Sequence, residues 1–580
     1  MNLTRRSFLV TSLAAMAAAC SPAAAPSKPS ESKPTTDSPA QQAPAQKPAE
    51  VAEAAKPADA AKPTDAKPAA KVDVGGTPRP GGELSFIVSA EPPSFDAHRE
   101  TTFAMLHPTA PHYSLLVRFD QDTYPEIVGD LAERWDISPD RLTYTFRLRD
   151  GVKFHDGSAL TSRDVKASYD KIIAPPEGVV SARKASFAAV QSVDAPDPLT
   201  VVFKLKYPSA SLMNMIASPW NYIFSADKLA QDPRWYEKNI MGSGPYTFVE
   251  YVPGSHWVGK KNPNYFVQGR PYLDGFRATF IREAAAQVAA IRGGRAAIEF
   301  RGFTPPQRDD LVRALGDQIV VQESPWITVL LAVFNTEKQP FDDPRVRRAL
   351  TLAIDRWEGS NALSKITFVK PVGGLLRPGG PFSRPDAELE KLPGFGRDIN
   401  AARDEARRLL REAGVPDGFE ITITNRDTPN PYETVGVFVI DQWRKIGLNA
   451  TQQQLETNQY ISNQRNGNFD VSIDFLADYV DDPELQMSKF VSADRSPTNY
   501  GRYKDPEVDQ LFDQQSRESD PEQRKQLIWK LEERLIGEQA YVLPLIWWQR
   551  IIPHSAQVKG WRALPSHYIN QDLGNVWLAG

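Results

Sequence analysis

The chain has 580 residues, too many for one hydrophobic core, because cores stop growing near about 250–300 residues. Its 68 basic and 72 acidic residues leave a formal charge of −4, which offers no basic field to a nucleic acid. The single cysteine, Cys20, excludes an intrachain disulfide and a cysteine-based zinc or redox site. Only seven histidines remain for metal or general-base chemistry. We therefore expect a multidomain protein without a metal or another cofactor.

The first twenty residues are typical of an export signal. Arg5 and Arg6 precede an apolar run from 8 to 19, which is shorter than the roughly 20 residues of a membrane-spanning helix. The sequence around the two arginines is similar to the twin-arginine signal. Cys20 follows three alanines, as the lipidated cysteine of a bacterial lipobox follows small residues. We predict export through residues 1–20 and a lipid at Cys20; the alternative is cleavage to a soluble secreted protein.

Residues 21–80 have the composition of a linker. They contain twelve prolines and no aromatic residue, leucine or isoleucine. Such a stretch cannot bury enough apolar area to offset its ordering entropy. We predict a disordered Pro/Ala/Lys-rich tether that holds the folded part near the membrane surface.

From residue 81 onward, strand and helix patterns follow one another. Residues 83–88 form a first predicted strand. Residues 142–148 alternate between apolar and polar side chains, and Asp150-Gly151 then predicts a hairpin turn into residues 152–154. A capping box from Thr161 to Asp164 predicts the start of a helix, and residues 199–205 form another alternating strand.

In the second half, helices and strands alternate. We predict a helix at 400–413, a strand at 419–424, a helix at 432–446 and a strand from 448. Asp505-Pro506 and Asp520-Pro521 each pair an N-cap residue with proline at the first helical position. The apolar run at 541–552 predicts a long strand that crosses between lobes. This mixture indicates an α/β body of several lobes.

Several runs in this order resemble one family. They are Leu131 to Trp135, Leu142 to Gly157, Gly242 to Tyr246, Asn262 to Tyr265, Phe341 to Leu350, Ala353 to Arg356, Leu409 to Gly414 and Tyr503 to Asp509. The chain is similar to the extracellular solute-binding proteins of family 5, the receptors of dipeptide, oligopeptide and nickel ABC importers. The resemblance covers essentially all of residues 81–580. It departs from the family pattern after Arg356, where Trp357-Glu358-Gly359 replaces the usual helix continuation.

The resemblance implies a periplasmic-binding-protein-like fold of two α/β lobes that close by hinge motion, with an additional inserted domain. The implied boundaries are 81–120, 226–330 and 553–580 for lobe I, 121–225 for inserted domain II, and 331–552 for lobe II (domain III).

The resemblance also implies where a ligand binds. In peptide-binding members, an Ala-Asp-Tyr segment holds the ammonium group of the ligand through its aspartate, and the backbone before it pairs with the ligand like an added strand. Phe475, Leu476, Ala477 and Asp478 match that segment, with Asp478 as the predicted anchor. Because Pro483 lies one residue further along than in oligopeptide-binding members, Asp481 or Asp482 is the alternative partner. Phe103 and Tyr500 are predicted walls of the same cleft.

The patterns typical of enzymes are incomplete. Residues 254–260 satisfy most of a phosphate-loop pattern, but Lys261 stands where serine or threonine is required. Gly242-Ser243-Gly244 lacks the spacing of a nucleophile elbow. His107 and His112 lack a helical metal-binding spacing, so loop histidines are the interpretation and a metal pair the alternative. Asp342-Asp343 and Asp481-Asp482 precede prolines, as helix caps do. We predict no catalytic residue.

The sequence therefore predicts a substrate-binding receptor of an ABC importer. It is expected to act as a monomer at the outer face of the cytoplasmic membrane, to capture a short peptide by hinge closure and to deliver it to the permease subunits. Membrane contact is expected through the lipid anchor only. The alternatives are another solute (an oligosaccharide, an opine or a metal chelate), a sensing or chaperone role for the same fold, and a secreted hydrolase.

Overall fold

The first of three five-stranded sheets, sheet 1, contains the predicted first strand. The computed structural model describes residues 64–65 and 76–580. In Glu83–Val88 the side chains of Leu84, Phe86 and Val88 belong to one buried cluster and Ile87 to another, as the two-residue period of a strand requires. The strands of sheet 1, in spatial order, are Ile298–Glu299, Glu83–Val88, Gly275–Phe280, His256–Lys261 and Tyr246–Val252.

Sheet 2 is antiparallel throughout and contains the predicted alternating strands. Tyr144, Phe146 and Leu148 are buried, so the apolar face of the pattern forms a core. Its strands, in spatial order, are Thr64–Asp65, Ala132–Ile137, Thr143–Leu148, Thr200–Leu205 and Val190–Asp197.

The predicted hairpin through Asp150-Gly151 is wrong. Thr143–Leu148 pairs with Ala132–Ile137 on one side and with Thr200–Leu205 on the other, which leaves no free edge for residues 152–154. The turn at Asp150-Gly151 does form, and Lys153 then makes a single bridge to Ala159. A turn signal fixes a change of direction but not the partner of the strand that enters it.

The segment predicted as a tether has one described pairing. Thr64 and Asp65 lie opposite Trp135 and Arg134 at the edge of sheet 2. This ladder uses backbone groups only, so composition gave no signal for it; the tether at 21–80 stays a prediction. The predicted export signal, with Arg5 and Arg6, and the predicted lipid site Cys20 lie outside the described residues.

Sheet 3 contains two long strands that also reach sheet 1. Ile319–Phe334 and Val542–Ser555 run antiparallel, and their register changes between Pro325 and Val329. Beyond that change, the Ser555 N–H donates to the carbonyl of Ala297 at the end of sheet 1 (2.8 Å). The long strand predicted at 541–552 is therefore confirmed, and it reaches from sheet 3 to sheet 1. The strands of sheet 3, in spatial order, are Asn449–Leu455, Glu420–Arg426, Val471–Ala477, Ile319–Phe334 and Val542–Ser555.

The remaining strands form two short ladders, Val117–Phe119 with Ile127–Gly129 and Val558–Lys559 with Trp577–Leu578. The α-helices of the described part are Phe103–Thr109, Ser162–Ile173, Leu212–Ile216, Ala226–Gln231, Ala284–Arg292, Pro305–Leu315, Pro344–Leu352, Arg356–Leu363, Asp386–Leu389, Ile399–Glu412, Thr434–Arg444, Thr457–Asn466, Pro483–Met487, Pro506–Arg517 and Pro521–Glu532. Among these residues, no helix has the length and apolar character needed to cross a bilayer.

Side-chain caps begin the helices where the sequence predicts them. Thr161 and Asp164 form the predicted capping box. Asp505 and Asp520 each accept N–H bonds from the first turn of the helix that follows. After Arg356, where the chain departs from the family pattern, the structure has the helix Arg356–Leu363, and Asp355 caps it.

Helices cover both faces of sheet 3. The buried cluster on one face includes Leu350, Leu409 and Trp443 from three helices, and the cluster on the other face includes Val508 and Ile528. Burying each such aliphatic side chain contributes about 1.5–3 kcal/mol. Both faces are therefore held by apolar contacts, which is the layering of an α/β fold. The predicted boundaries of lobe I, domain II and lobe II stay predictions.

Candidate functional site

The predicted anchor segment lies at the end of a central strand. Val471–Ala477 is the third strand of sheet 3, and Ala477 lies opposite Thr328, where the crossing strand Ile319–Phe334 changes register. Its pairing with Glu420–Arg426 covers only Val471 and Ser472. Among the described residues, positions 473–477 therefore have no strand partner on that side, which we call the open edge.

Two side chains donate hydrogen bonds to backbone carbonyls of the open edge. The Tyr460 hydroxyl donates to the carbonyl of Ile473 (2.6 Å), and the Lys489 ammonium donates to that of Phe475 (3.2 Å). Ala477, the last residue of the strand, is exposed, and Leu476 is buried on the other face of the sheet. The strand thus ends with accessible backbone directly before Asp478.

Asp478 is a half-buried carboxylate without a salt bridge. The Tyr479 N–H donates to its Oδ1 atom (2.7 Å), and no cationic side chain of the described residues lies within 4 Å of its oxygens. Burial raises the pKa of Asp478 to about 7; the Tyr479 N–H and Arg183 lower it, and Asp482 raises it further. A cation brought to Asp478 would relieve this penalty, because an opposite charge favours the ionised form.

The two alternative aspartates are already engaged. Asp481 accepts bonds from the guanidinium of Arg377 (2.6 Å) and the hydroxyl of Tyr124 (3.1 Å). Asp482 is fully buried and accepts from Ser211 and Asn214 (both 2.6 Å). It also caps the helix Pro483–Met487, as the sequence predicts. Neither carboxylate is free for a ligand, which leaves Asp478 as the candidate.

The predicted wall residues lie in different places. Phe103 begins the helix Phe103–Thr109, and its ring centroid lies 4.1 Å from the Cζ atom of Arg301. Tyr500 lies 5.0 Å from the ammonium of Lys489, which pairs with Asp474 (2.5 Å) in the middle of the strand. Through Lys489, Tyr500 is thus associated with the middle of the strand and not with its end.

Sequence reasoning missed a guanidinium group at the other end of the open edge. Arg426 ends the strand Glu420–Arg426, and its Cζ lies 5.5 Å from the ring of Phe475 and 4.8 Å from that of Tyr432. Its Nε atom is buried without a hydrogen-bond partner, and it forms no salt bridge within the described part of the chain. Three residues of strand separate Phe475 from Asp478, roughly 10 Å. Within the described part of the chain, a guanidinium without a salt bridge therefore lies beside Phe475, and a carboxylate without a salt bridge follows the end of the same strand.

A series of aromatic contacts begins at Tyr432, the ring beside Arg426, which lies 6.2 Å from Trp548. Trp326 lies 5.3 Å from Trp548 and 5.2 Å from His567, by ring centroids. The ring of His567 lies 3.9 Å from that of Tyr568, tilted against it, and Tyr568 contacts Trp220 (5.3 Å). The rings come from distant parts of the sequence, so only the fold brings them together. The one available signal was the pair of tryptophans in the predicted crossing strand.

The residues weighed for catalysis or metal binding have structural contacts. His107 donates from Nε2 to the carbonyl of His567 (2.9 Å), and His112 bonds Tyr246 and Trp257. Burial lowers the pKa of both His107 and His112 to about 3, which keeps them neutral. Ser243 is buried at 1% exposure, too enclosed for a nucleophile.

The chain is similar to characterised binding proteins along most of its length. The family model described as "Bacterial extracellular solute-binding proteins, family 5 Middle" matches residues 126–498. The glutathione-binding protein GsiB of Salmonella paratyphi A is 26% identical over 468 residues, which are 78% of this chain and 86% of the relative. The probable di/tripeptide-binding protein 5 of Pseudomonas aeruginosa is 26% identical over 524 residues, 86% of this chain and 96% of the relative.

A solved structure has the same architecture. The ABC transporter-associated periplasmic binding protein DppA from Helicobacter pylori, in complex with peptide STSA, superposes with a TM-score of 0.71 at 26% identity. The superposition covers 87% of this chain and 99% of that chain. The order of elements described above is therefore shared with a peptide complex over nearly the whole of that protein.

Proposed function

Because the chain belongs to the bacterial extracellular solute-binding proteins of family 5, we propose that it captures a short peptide outside the cytoplasmic membrane and delivers it to an ABC permease. Its fold is the two-lobed α/β fold that the sequence predicts. The matching family and the similar relatives are described as binding proteins. Capture by hinge closure requires only that the ligand binds the closed state more tightly than the open state.

The observation that carries the peptide proposal is the unpaired Asp478 at the end of an open strand edge. A peptide ammonium group at Asp478 would form a charge-assisted bond worth about 1.5–3 kcal/mol. The peptide backbone would pair with the strand at Ala477, the exposed residue before Asp478, and its carboxylate would reach Arg426. At about 3.3–3.6 Å per residue, the roughly 10 Å of backbone from Phe475, the ring beside Arg426, to Asp478 suits a peptide of two or three residues.

The other solutes fit these charges less well. An oligosaccharide has no ammonium group for Asp478 and no carboxylate for Arg426. An opine supplies both charges and is therefore the stronger alternative. A hydrolase would require an accessible nucleophile or base beside the ligand, whereas Ser243 and His107 are both buried and His107 is bonded to the carbonyl of His567.

Calorimetric titration with free tripeptides tests the proposal. We expect saturation at one peptide per protein and recovery of the intact peptide afterwards, as mass spectrometry of the mixture would show. Cleaved peptide would indicate a hydrolase instead. Binding of an opine in the absence of any peptide binding would replace the proposed ligand and keep the receptor.

We propose that the protein is exported by its N-terminal signal, anchored by a lipid at Cys20 and active as a monomer. Twin arginines before a short apolar run and a cysteine at its end support this proposal. Cys20→Ala should move the protein from the membrane fraction to the soluble fraction, because this change removes the acylation site. A membrane-bound variant would contradict the anchor.

A further inference from the structure

Arg301 carries a guanidinium group that the fold does not use. It follows the short strand Ile298–Glu299 of sheet 1, and its Cζ lies 4.1 Å from the ring centroid of Phe103 and 5.9 Å from that of Trp326. Its Nε atom is buried without a hydrogen-bond partner, and within residues 76–580 no carboxylate oxygen lies within 4 Å of its nitrogens. Stacking on aromatic rings leaves the N–H edge of a guanidinium free for a ligand.

Most other buried arginines of the chain have protein acceptors for at least part of the guanidinium group. Arg524 pairs with Asp482, and Arg377 pairs with Asp481. Four more donate to backbone carbonyls: Arg183, Arg347, Arg356 and Arg550. One nitrogen of Arg183, Arg356 and Arg550 nevertheless also lacks a partner. The guanidinium of Arg301 does neither; Arg426 and Arg270, which lies over the ring of Tyr272, are the comparable cases.

Two tyrosines relate Arg301 to the two ends of the proposed peptide site. The ring of Tyr568 lies 3.9 Å from that of His567, tilted against it, and His567 lies 6.1 Å from Phe103, the ring beside Arg301. Tyr568 also packs against the buried cluster that contains Tyr479, the residue next to Asp478.

Tyr432 relates Arg301 to Arg426 through ring contacts. Arg426 lies 4.8 Å from the ring of Tyr432, which lies 6.2 Å from Trp548, and Trp548 lies 5.3 Å from Trp326, the second ring beside Arg301. Near these rings, Lys489 and Asp474 pair with each other, whereas Asp478, Arg301 and Arg426 form no salt bridge within the described residues. The other titratable groups that face Arg301 are His107 and His567, whose pKa values burial lowers, the buried Arg550, and Glu299, which accepts the N–H groups of Arg301 and Gly302.

We infer that Arg301 binds a second anionic group of the ligand, so that the ligand is a short peptide with one ammonium group and two carboxylates. This inference rests on the proposed peptide function and specifies its substrate class. Arg301 lies on the sheet 1 side of the site and Arg426 on the sheet 3 side, so a dianionic peptide would contact both sides. A ligand with two carboxylates would neutralise both guanidinium groups. It would thereby remove the free-energy cost of keeping two unpaired cations in a cleft from which water is partly excluded.

Matched peptides test the inference. Three pairs of tripeptides differ only in glutamate against glutamine, placed at the first, second or third position between alanines. The full-length protein should bind the acidic member of at least one pair ten times or more tighter. In Arg301→Gln that preference should vanish, while the affinity for the neutral member should stay within about twofold. Arg301→Lys should keep part of the preference, since it keeps the charge.

A control arginine separates contact from long-range attraction. Arg295 is exposed a few residues away, and Arg295→Gln should leave the preference intact. Equal binding of acidic and neutral peptides by the parent protein would overturn the inference and leave the proposed function standing. An equal loss for both members in Arg301→Gln would overturn it too, because the arginine would then only support the aromatic wall. Failure of every peptide to bind would remove the proposed function with it.

Discussion

Replacing Asp478 by asparagine should lower the affinity for peptides with a free amino group at least tenfold, about 1.4 kcal/mol at 25 °C. Asparagine keeps the shape of the side chain and an acceptor for the Tyr479 N–H, but it removes the charge that pairs with the ammonium group. Isothermal titration calorimetry measures the loss directly. N-acetylated peptides should bind the parent protein as weakly as free peptides bind the variant.

The pH dependence of binding follows from the raised pKa of Asp478, about 7 in the ligand-free protein. Affinity should rise as the pH increases through 7, since the carboxylate must be ionised to attract the ammonium group. It should fall again above about 8, where the α-amino group loses its proton. In Asp478→Asn the rise through pH 7 should disappear.

The stability of the ligand-free fold should fall over the pH range in which the affinity for the peptide rises. A carboxylic acid whose pKa is higher in the folded state than in the unfolded state destabilises the fold as the pH rises from about 4 to 7. Without ligand at pH 8, Asp478→Asn should therefore unfold at the same or a higher denaturant concentration than the parent protein. The exposed Asp317→Asn serves as the control for both measurements. Full affinity of Asp478→Asn, or tight binding of an acetylated peptide, would exclude Asp478 as the anchor.

Replacing Asp482 by asparagine should cost roughly 3–5 kcal/mol of unfolding free energy, because it leaves Arg524 as an unpaired buried charge. Burial alone would raise the pKa of Asp482, but Arg524, Ser211 and Asn214 outweigh it and lower the pKa below its ordinary value. The stabilisation is therefore present above about pH 4 and is lost as the pH falls through the lowered value. Urea unfolding at pH 7 and pH 3 measures both effects.

Asp520→Asn is the matched control for this change. Asp520 also caps a helix whose first residue is proline, but it is exposed. Asparagine caps helices about as well as aspartate does, so this variant should lose little stability. Similar losses in the two variants would show that the cap, and not the buried pair with Arg524, is what Asp482 contributes.

Local patterns predicted those parts of the fold that local chemistry decides. The caps at Asp505 and Asp520, the capping box at Thr161 and the long strand at 542–555 all follow from residues near one another in the chain. The hairpin after residue 148 could not be settled in this way. Its strand had two other partners, one of them some fifty residues away.

The site was predictable only where it lies on one continuous segment. Residues 475–478 form such a segment, and the family resemblance marked them. Arg301, Trp326 and His567 come from three separate parts of the chain and approach each other through the fold. An unpaired guanidinium also has no sequence signature, because pairing depends on what lies nearby in space. Phe103 was predicted as a wall, but its contact with Arg301 was not.

Small-angle scattering of the full-length protein tests most directly whether this receptor closes on a peptide held by its charged ends. With a saturating free tripeptide, closure of the two lobes should reduce the radius of gyration, whereas the N-acetylated form of the same peptide at the same concentration should leave it unchanged. An unchanged radius of gyration with a free peptide that calorimetry shows to be bound would contradict hinge closure.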